Sequence, residues 1–500
     1  MTLRGEILRN VVARYAGYLV SGVVSFFLFP YVIRHLGNDA YGVWVLVGSL
    51  TGYLGLMDMG VNITVVKYVS EYRAKGDEDA LRRIISETFS LYTLIGIGSF
   101  LVTALLAFLA PSVFNIGTVS RTDVRTVLLI LGSSLSLGFP LSVFRGVVKG
   151  WNRYDIEAGI NTTVVCVRAL LTVVCLSRGY GIVALSLVTA ASSVLGGLLG
   201  FGYATAFLAR PALGLLPQER QWRNLRTILV YALPVFAVVV SERLIFYTDS
   251  VVIGIFLPAS AITFYSVGSR FVEYMREPLS LMVALAIPVA SGFSARKNTA
   301  ANRHLLIEGT RYCWMATLLL GGLLLAFGRQ LIGVWVGQEY VSSYAILVIL
   351  TVPEFVALSQ GVSSAILYGL AKHTLLATLT AVQAAANLLL SVVLVRFWGI
   401  EGVAVGTAVP RLLTSFVIPL SVCRLLNLRP AAYLRGAFLS PLICSVPFAL
   451  YCVWVQPVPV PSMAKLVLVA GGGSAVFCAS MLPLIVLSRR KGDRKLRYMA

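Results

Sequence analysis

Apolar residues along this chain run in long blocks and do not alternate with polar ones. Leu91 to Ala110, Thr227 to Ser241 and Trp314 to Phe327 are apolar on every side of a helical wheel. Segments of about 20 apolar residues match a bilayer core roughly 30 Å thick. Inside that core a segment must satisfy its own backbone, which makes the helix the default. A membrane barrel would need period-two alternation, which these runs lack. The pattern predicts fourteen spanning helices, at 11–34, 41–70, 84–110, 122–148, 152–177, 180–209, 227–257, 259–292, 302–328, 340–368, 373–397, 400–426, 431–455 and 463–488. The second and eighth carry internal charges.

Composition agrees. Hydrophobic residues make up 58% and charged residues 12%, with a mean hydropathy of +0.85, whereas a soluble domain carries about 25% charged residues. The net charge of +20 could suggest nucleic acid, but the Lys and Arg residues alternate loop by loop, as topogenic charges do. One side carries 26, including Arg73, Arg82, Arg145, Arg153, Arg220, Arg296 and the basic tail; the other carries 7, among them Arg34, Arg121, Arg178 and Arg396. By the positive-inside rule both termini are cytoplasmic. No secretory leader is visible: Arg4, Glu6 and Arg9 lead into a helix that is retained. The seven cysteines sit in or beside apolar runs without a CxxC, and His35, His304 and His373 are scattered near helix ends. No metal site, cofactor motif or Ser-His-Asp arrangement is present, and no loop is large enough for a catalytic domain. The longest clearly polar loop is Pro211 to Arg226.

The chain also repeats itself. Gly150-Trp151-Asn152-Arg153 leads into a helix ending near Arg178, followed by Gly181-Ile182 and Thr189-Ala190. Gly369-Leu370-Ala371-Lys372 leads into a helix ending near Arg396, followed by Gly399-Ile400 and Thr407-Ala408. The offset is 219 residues, slipping to 218, and the copies are the fifth and eleventh helices. An even step keeps orientation, so two parallel halves are expected, one of the general designs for alternating access.

The opening residues carry a resemblance. Phe29-Pro30-Tyr31-Val32-Ile33-Arg34-His35-Leu36-Gly37, Tyr41-Gly42-Val43-Trp44, Leu56-Met57-Asp58-Met59-Gly60 and Lys67-Tyr68-Val69-Ser70-Glu71, with Trp335-Val336-Gly337 and Tyr340 later, resemble polysaccharide-biosynthesis flippases of the Wzx type. These belong to the multidrug/oligosaccharidyl-lipid/polysaccharide exporter superfamily. The resemblance implies an all-α integral membrane protein with two pseudo-symmetric six-helix lobes in a V shape. The N-terminal lobe would be 1–210, the cytoplasmic linker 211–226 and the C-terminal lobe 227–426, with two extra helices and a basic tail at 427–500. It implies a substrate of undecaprenyl pyrophosphate carrying an oligosaccharide repeat unit, moved across the cytoplasmic membrane for surface polysaccharide assembly. Membrane lipid and polymerase or glycosyltransferase machinery are the implied partners.

Ionisable residues inside spans cost from about 2.5 kcal/mol on insertion scales to over 10 in simulations, so they face a cavity or a partner. The seventh helix holds Glu242, Arg243 and Asp249; the eighth holds Arg270, Glu273, Arg276 and Glu277. Arg14 lies one turn into the first helix beside Tyr15 and Tyr18, and Arg168 midway through the fifth, where its repeat mate is Asn387. Guanidinium forks suit phosphate oxygens, which makes Arg14, Arg168, Arg243 and Arg270 the candidate pyrophosphate ligands. Asp58, Glu242, Asp249 and Glu273 are the candidate acidic or coupling groups. For Asp58 a pairing with Arg14 or Lys67 is the simpler alternative, and for the seventh and eighth helices a cluster that only joins them. Gly196 and Gly200 form a GxxxG suited to close helix packing.

Other functions remain open. A lipid II flippase would carry the same anchor. A multidrug or cation antiporter of the same superfamily would want acidic residues in the first helix, but Val11 to Arg34 has none and contains Arg14. A membrane glycosyltransferase, polymerase or ligase would need catalytic carboxylates on a sizeable external loop. The orientation is testable: a cysteine placed at Gln218 should stay unlabelled by an impermeant thiol reagent applied to whole cells, and labelling there would invert the topology.

Overall fold

Helices account for nearly everything in the computed structural model, which describes residues 3–58, 61–208, 223–456 and 462–497; no strand occurs among them. In chain order they are α1 (Leu3–Leu36), α2 (Asn38–Leu54), α3 (Val61–Lys75), α4 (Glu78–Val113), α5 (Arg121–Gly150), α6 (Tyr154–Ser177), α7 (Ile182–Tyr203), α8 (Arg223–Phe256), α9 (Ala259–Ala295), α10 (Thr299–Trp335), α11 (Tyr344–Ser359), α12 (Gly361–Gly369), α13 (His373–Leu425), α14 (Pro430–Leu434), α15 (Ser440–Cys444), α16 (Val446–Val455) and α17 (Met463–Arg497). Twelve described segments are long and apolar enough to cross a membrane. Gly399, at φ 57° and ψ −132°, bends one of them, Thr374–Leu425, into two runs. With α8, 34 residues long, these make fourteen passages of an all-α, multi-pass membrane protein. The second expected helix is in two pieces, because a 3-10 turn at Gly55–Asp58 separates α2 from α3. The tenth breaks at Gln360 between α11 and α12, and the thirteenth is the series α14 to α16. The linker expected at 211–226 lies largely outside the described residues.

Contacts divide the chain into Met1–Thr263 (unit 1) and Phe264–Ala500 (unit 2). In unit 1, α4 and α5 approach closely because a Cβ at Gly96 would meet the Ser136 carbonyl and one at Gly132 the Thr103 side chain. Tyr92, Phe139 and Phe144 fill one level of this core; Val43, Val47, Val127 and Leu128 fill another. The Gly196/Gly200 pair serves packing as expected, Gly196 against Val164 of α6 and Gly200 against Arg145 of α5. Helix α8 lies on α2: Gly52 receives the Tyr247 ring, and the hydroxyls of Tyr53 and Thr248 are hydrogen-bonded at 3.1 Å. In unit 2, α10 is the shared wall. Its adjacent Gly321 and Gly322 accept Phe355 of α11 and Phe448 of α16. The last two passages pack there through Phe448, Cys452, Phe477 and Met481.

The repeat is real in backbone detail. Trp151, Asn152 and Arg153 bond back to Val147, Lys149 and Val148; Leu370, Ala371 and Lys372 bond back to Ile366, Tyr368 and Leu367. Asn152 (φ 61°) and Ala371 (φ 55°) both take the left-handed conformation, and each closes its helix by the paired backbone bonds of a Schellman motif. An earlier pair of turns matches too. Asp77 caps α4 by accepting from the Ala80 N–H, and Asn298 caps α10 by accepting from Ala301.

The residues that carried the family resemblance have structural work. Phe29 meets the Tyr41 ring edge-on at 5.7 Å, Ser70 donates to the Gly150 carbonyl at 2.9 Å, and Trp335 packs on Phe271 at 4.8 Å. Gly42 lets α2 touch the first turn of α9, since a Cβ would fall on the Ala259 carbonyl. Gly42→Ala should therefore destabilise the protein by about 1–3 kcal/mol, the usual range for overpacking. Gly48→Ala, with open space around it, should be neutral. Thermal unfolding in detergent checks both, and equal melting points would remove the close approach as a constraint.

Candidate functional site

Within unit 1 the expected arginines reach neutral partners. Arg14 on α1 is exposed and lies 5.9 Å from the Tyr18 ring centroid. Arg243 on α8 is exposed, 5.9 Å from the Tyr247 ring centroid, and donates to its hydroxyl at 3.2 Å. Arg168 on α6 is half-buried and donates to Ser193 Oγ on α7 at 3.3 Å; its buried Nε has no hydrogen-bond partner among the described residues. The repeat mate Asn387 makes the corresponding link, donating to Thr407 at 2.7 Å. Both halves use this position to tie two consecutive passages together, and only the first half adds a charge.

The acids are placed differently. Asp58 accepts a hydrogen bond from Tyr92 of α4. Tyr92 is fully buried in the α4–α5 core, so one partner this carboxylate meets is a phenol supplied by packing. Glu242 and Asp249 lie on one stripe of α8, the former exposed and the latter buried. In unit 2, Arg270 and Glu273 form an ion pair at 2.7 Å along α9.

Two ionic clusters were not legible as such, and each holds one carboxylate between two cations. In unit 2, Glu354 of α11 is 2% exposed; Arg276 of α9 reaches it at 2.7 Å and Arg411 of α13 at 3.2 Å. The Arg276 Nε is buried and has no hydrogen-bond partner among the described residues. In unit 1, Glu157 of α6, with an 8% exposed side chain, meets Arg145 at 2.5 Å and Lys149 at 3.3 Å from α5. Arg145 also donates to Asn161 at 2.6 Å. The available signal for Glu354 and Arg411 was an ionisable residue directly after a proline inside an apolar span, at Pro353 and Pro410. Arg145 and Lys149 read as topogenic because they sit near a helix end, where a basic residue is ordinary. A buried carboxylate costs several kcal/mol, and two guanidinium or ammonium groups within hydrogen-bonding distance can offset that while leaving one positive charge in excess.

Residues 7–294, more than half of the chain, match the family described as polysaccharide biosynthesis protein. The "uncharacterized membrane protein EpsK" of Bacillus subtilis (strain 168) is 22% identical over 496 residues, covering 96% of this chain and 95% of EpsK. Among solved structures, the lipid II flippase MurJ in an inward closed conformation superposes with a TM-score of 0.73 at 14% identity, covering 95% of this chain and 99% of MurJ. An inward-facing multidrug resistance transporter of the MATE family, in the MOP superfamily, superposes with a TM-score of 0.66 at 15% identity, covering 84% and 98%.

The Glu354 cluster makes a prediction of its own. Glu354→Gln removes the acid from between two half-buried cations and should destabilise by about 1–3 kcal/mol, below the scale for breaking a fully buried pair from one side. Adding Arg411→Gln should restore much of the loss. Thermal unfolding of the single and double variants reads the coupling; simple additivity would mean that the cluster does not act as a unit.

Proposed function

This chain belongs to the polysaccharide biosynthesis protein family, and on that premise we propose that it moves undecaprenyl-pyrophosphate-linked oligosaccharide repeat units across the cytoplasmic membrane for surface polysaccharide assembly. The observation that carries the reading is how the arginines within the spans are partnered. Arg168 and Arg243 have a serine and a tyrosine for partners, and Glu354 is outnumbered by Arg276 and Arg411. A diphosphate is the kind of group that arginines held by neutral partners suit, and the first helix, with Arg14 and no acid between Val11 and Arg34, disfavours the antiporter reading. A lipid II flippase shares the anchor chemistry and the fold; the family description favours a surface polysaccharide over peptidoglycan precursor.

Flipping needs no covalent chemistry. The task is to shelter a charged head group from hydrocarbon while the polyprenyl tail stays in lipid. In this reading both termini are cytoplasmic, residues 1–210 and 227–426 act as alternating-access lobes joined by 211–226, and 427–500 is an addition. Arg14, Arg168, Arg243 and Arg270 take the phosphates. The acids Asp58, Glu242, Asp249 and Glu273 compete for those arginines and so allow release. Glu273 engages Arg270 at 2.7 Å, the kind of internal pairing that competes with a phosphate. The glycosyltransferases and polymerase that make and use the repeat unit are the expected partners.

A charge-assisted hydrogen bond is worth about 1.5–3 kcal/mol, so losing Arg243 should reduce cargo occupancy about tenfold or more. In a flippase-deficient strain at matched expression, Arg243→Lys should keep part of the complementation, and Arg243→Ala and Arg243→Glu should lose most of it. Full complementation by Arg243→Glu would return this residue to a packing role.

A further inference from the structure

Three arginines meet in one cavity at the basic end of unit 1. Its volume is about 330 Å³, and Arg9, Arg73, Trp151, Asn152, Arg153 and Leu208 line it. The walls come from the start of α1, the end of α3, the turn between α5 and α6, and the π-turn that follows α7. Asp155 anchors two of the arginines, with Arg9 Nε at 3.2 Å and Arg153 Nε at 3.0 Å. Asn10 fixes the same turn, donating to the Asn152 carbonyl at 3.0 Å and accepting from the Asp155 N–H at 3.1 Å. Arg73 differs. Its guanidinium lies 5.3 Å from the Trp151 ring centroid and donates to the Trp151 carbonyl at 3.1 Å. A guanidinium has five N–H donors, and among the described residues Arg73 has no carboxylate partner. Two of the three cations thus share one acid, and the third adds its charge without one.

The fold does not require this cluster of arginines. The second half closes its matching turn with the same backbone bonds, yet it places Leu370, Lys372 and Thr374 where the first half has Trp151, Arg153 and Asp155. At the other matching turn, the carbonyl that accepts one of the closing bonds belongs to Arg73 in the first half and to Ser294 in the second. The arginines are therefore an addition to a turn that is complete without them.

We propose that this cavity binds the phosphate of an anionic lipid headgroup, at the membrane surface that carries the chain's N-terminus. Arginine forks match phosphate oxygens, and the first turn of α6 begins at Tyr154, so its backbone dipole adds positive potential at the same place. Trp151 and Leu208 give the cavity an apolar edge suited to the glycerol and upper acyl chain, and Trp favours the interfacial level. The site is distinct from the arginines within the spans, and it does not depend on which cargo the protein moves.

Native mass spectrometry of the full-length protein in an equimolar mixture of phosphatidylglycerol and phosphatidylcholine tests it. The wild type should retain phosphatidylglycerol preferentially, and Arg73→Gln should reduce that retention about tenfold, the scale of one charge-assisted bond. Arg73→Lys should keep part of it. Arg82→Gln, which removes a nearby surface arginine paired with Glu78 at 3.6 Å, should change nothing. A calorimetric titration with inorganic pyrophosphate separates the sources: binding that is lost in Arg73→Gln, without a lipid preference, would keep the phosphate site and make its ligand soluble. Equal retention by wild type and Arg73→Gln in both measurements, or an equal loss in Arg82→Gln, would overturn the proposal.

Discussion

Hydrocarbon gives no partner to an unsatisfied polar group, and nearly every feature of this chain follows from that constraint. Backbone amides must bond within their own segment, so the described residues are helical and the turns fall at helix ends. Hydroxyls inside the spans turn back on their own helix: Thr88, Thr103, Ser192 and Thr317 each donate to the carbonyl four residues earlier. Helices then gain little from apolar attraction, because lipid is as apolar as leucine, and close packing must hold them together. Glycines meet that need. Gly132 takes the Thr103 side chain, and Gly321 and Gly322 take a phenylalanine each.

The same constraint decides how charge is carried. A lone carboxylate in a span would be too costly to keep ionised, so Glu354 and Glu157 each sit between two cations. Such a group of three is more than a fastening. A one-to-one pair would be neutral and inert towards anions, whereas one acid between two bases leaves a residual positive charge without exposing a bare arginine to lipid. Cations held in this partly neutralised form can each change partner without passing through an uncompensated state.

Sequence exposes these constraints unevenly. Apolar run length predicts the number of passages because one property, span thickness, governs all of them. The Gly150 and Gly369 turns are legible because turn chemistry is local. Breaks inside a span are less so: α2 ends at Leu54 and α3 starts at Val61, although Leu56 and Met57 between them are as apolar as the helix before. Least legible are partners. Glu354 and Arg411 are far apart in sequence and meet only after α11 and α13 have packed. Asp58 takes its hydrogen bond from Tyr92, a residue that reads as ordinary core. An ionisable residue in a span announces that it needs something, while the identity of its partner is a property of helix packing.

The internal duplication separates what the fold needs from what function adds. Where both halves keep a feature, architecture suffices as its cause: the left-handed residue at Asn152 and Ala371, the caps at Asp77 and Asn298, the polar link from Arg168 and from Asn387. Where the halves differ over an identical backbone, the difference must be explained by something outside the turn itself. Asn387 makes its link without charge, so the link does not account for the guanidinium of Arg168. Lys372 follows a turn of the same geometry as that before Arg153, so geometry does not account for the three arginines gathered there. Two copies of one design, folded under one constraint, thus act as each other's control, and what survives the comparison in the first half is a set of arginines that the shared turns and links do not require.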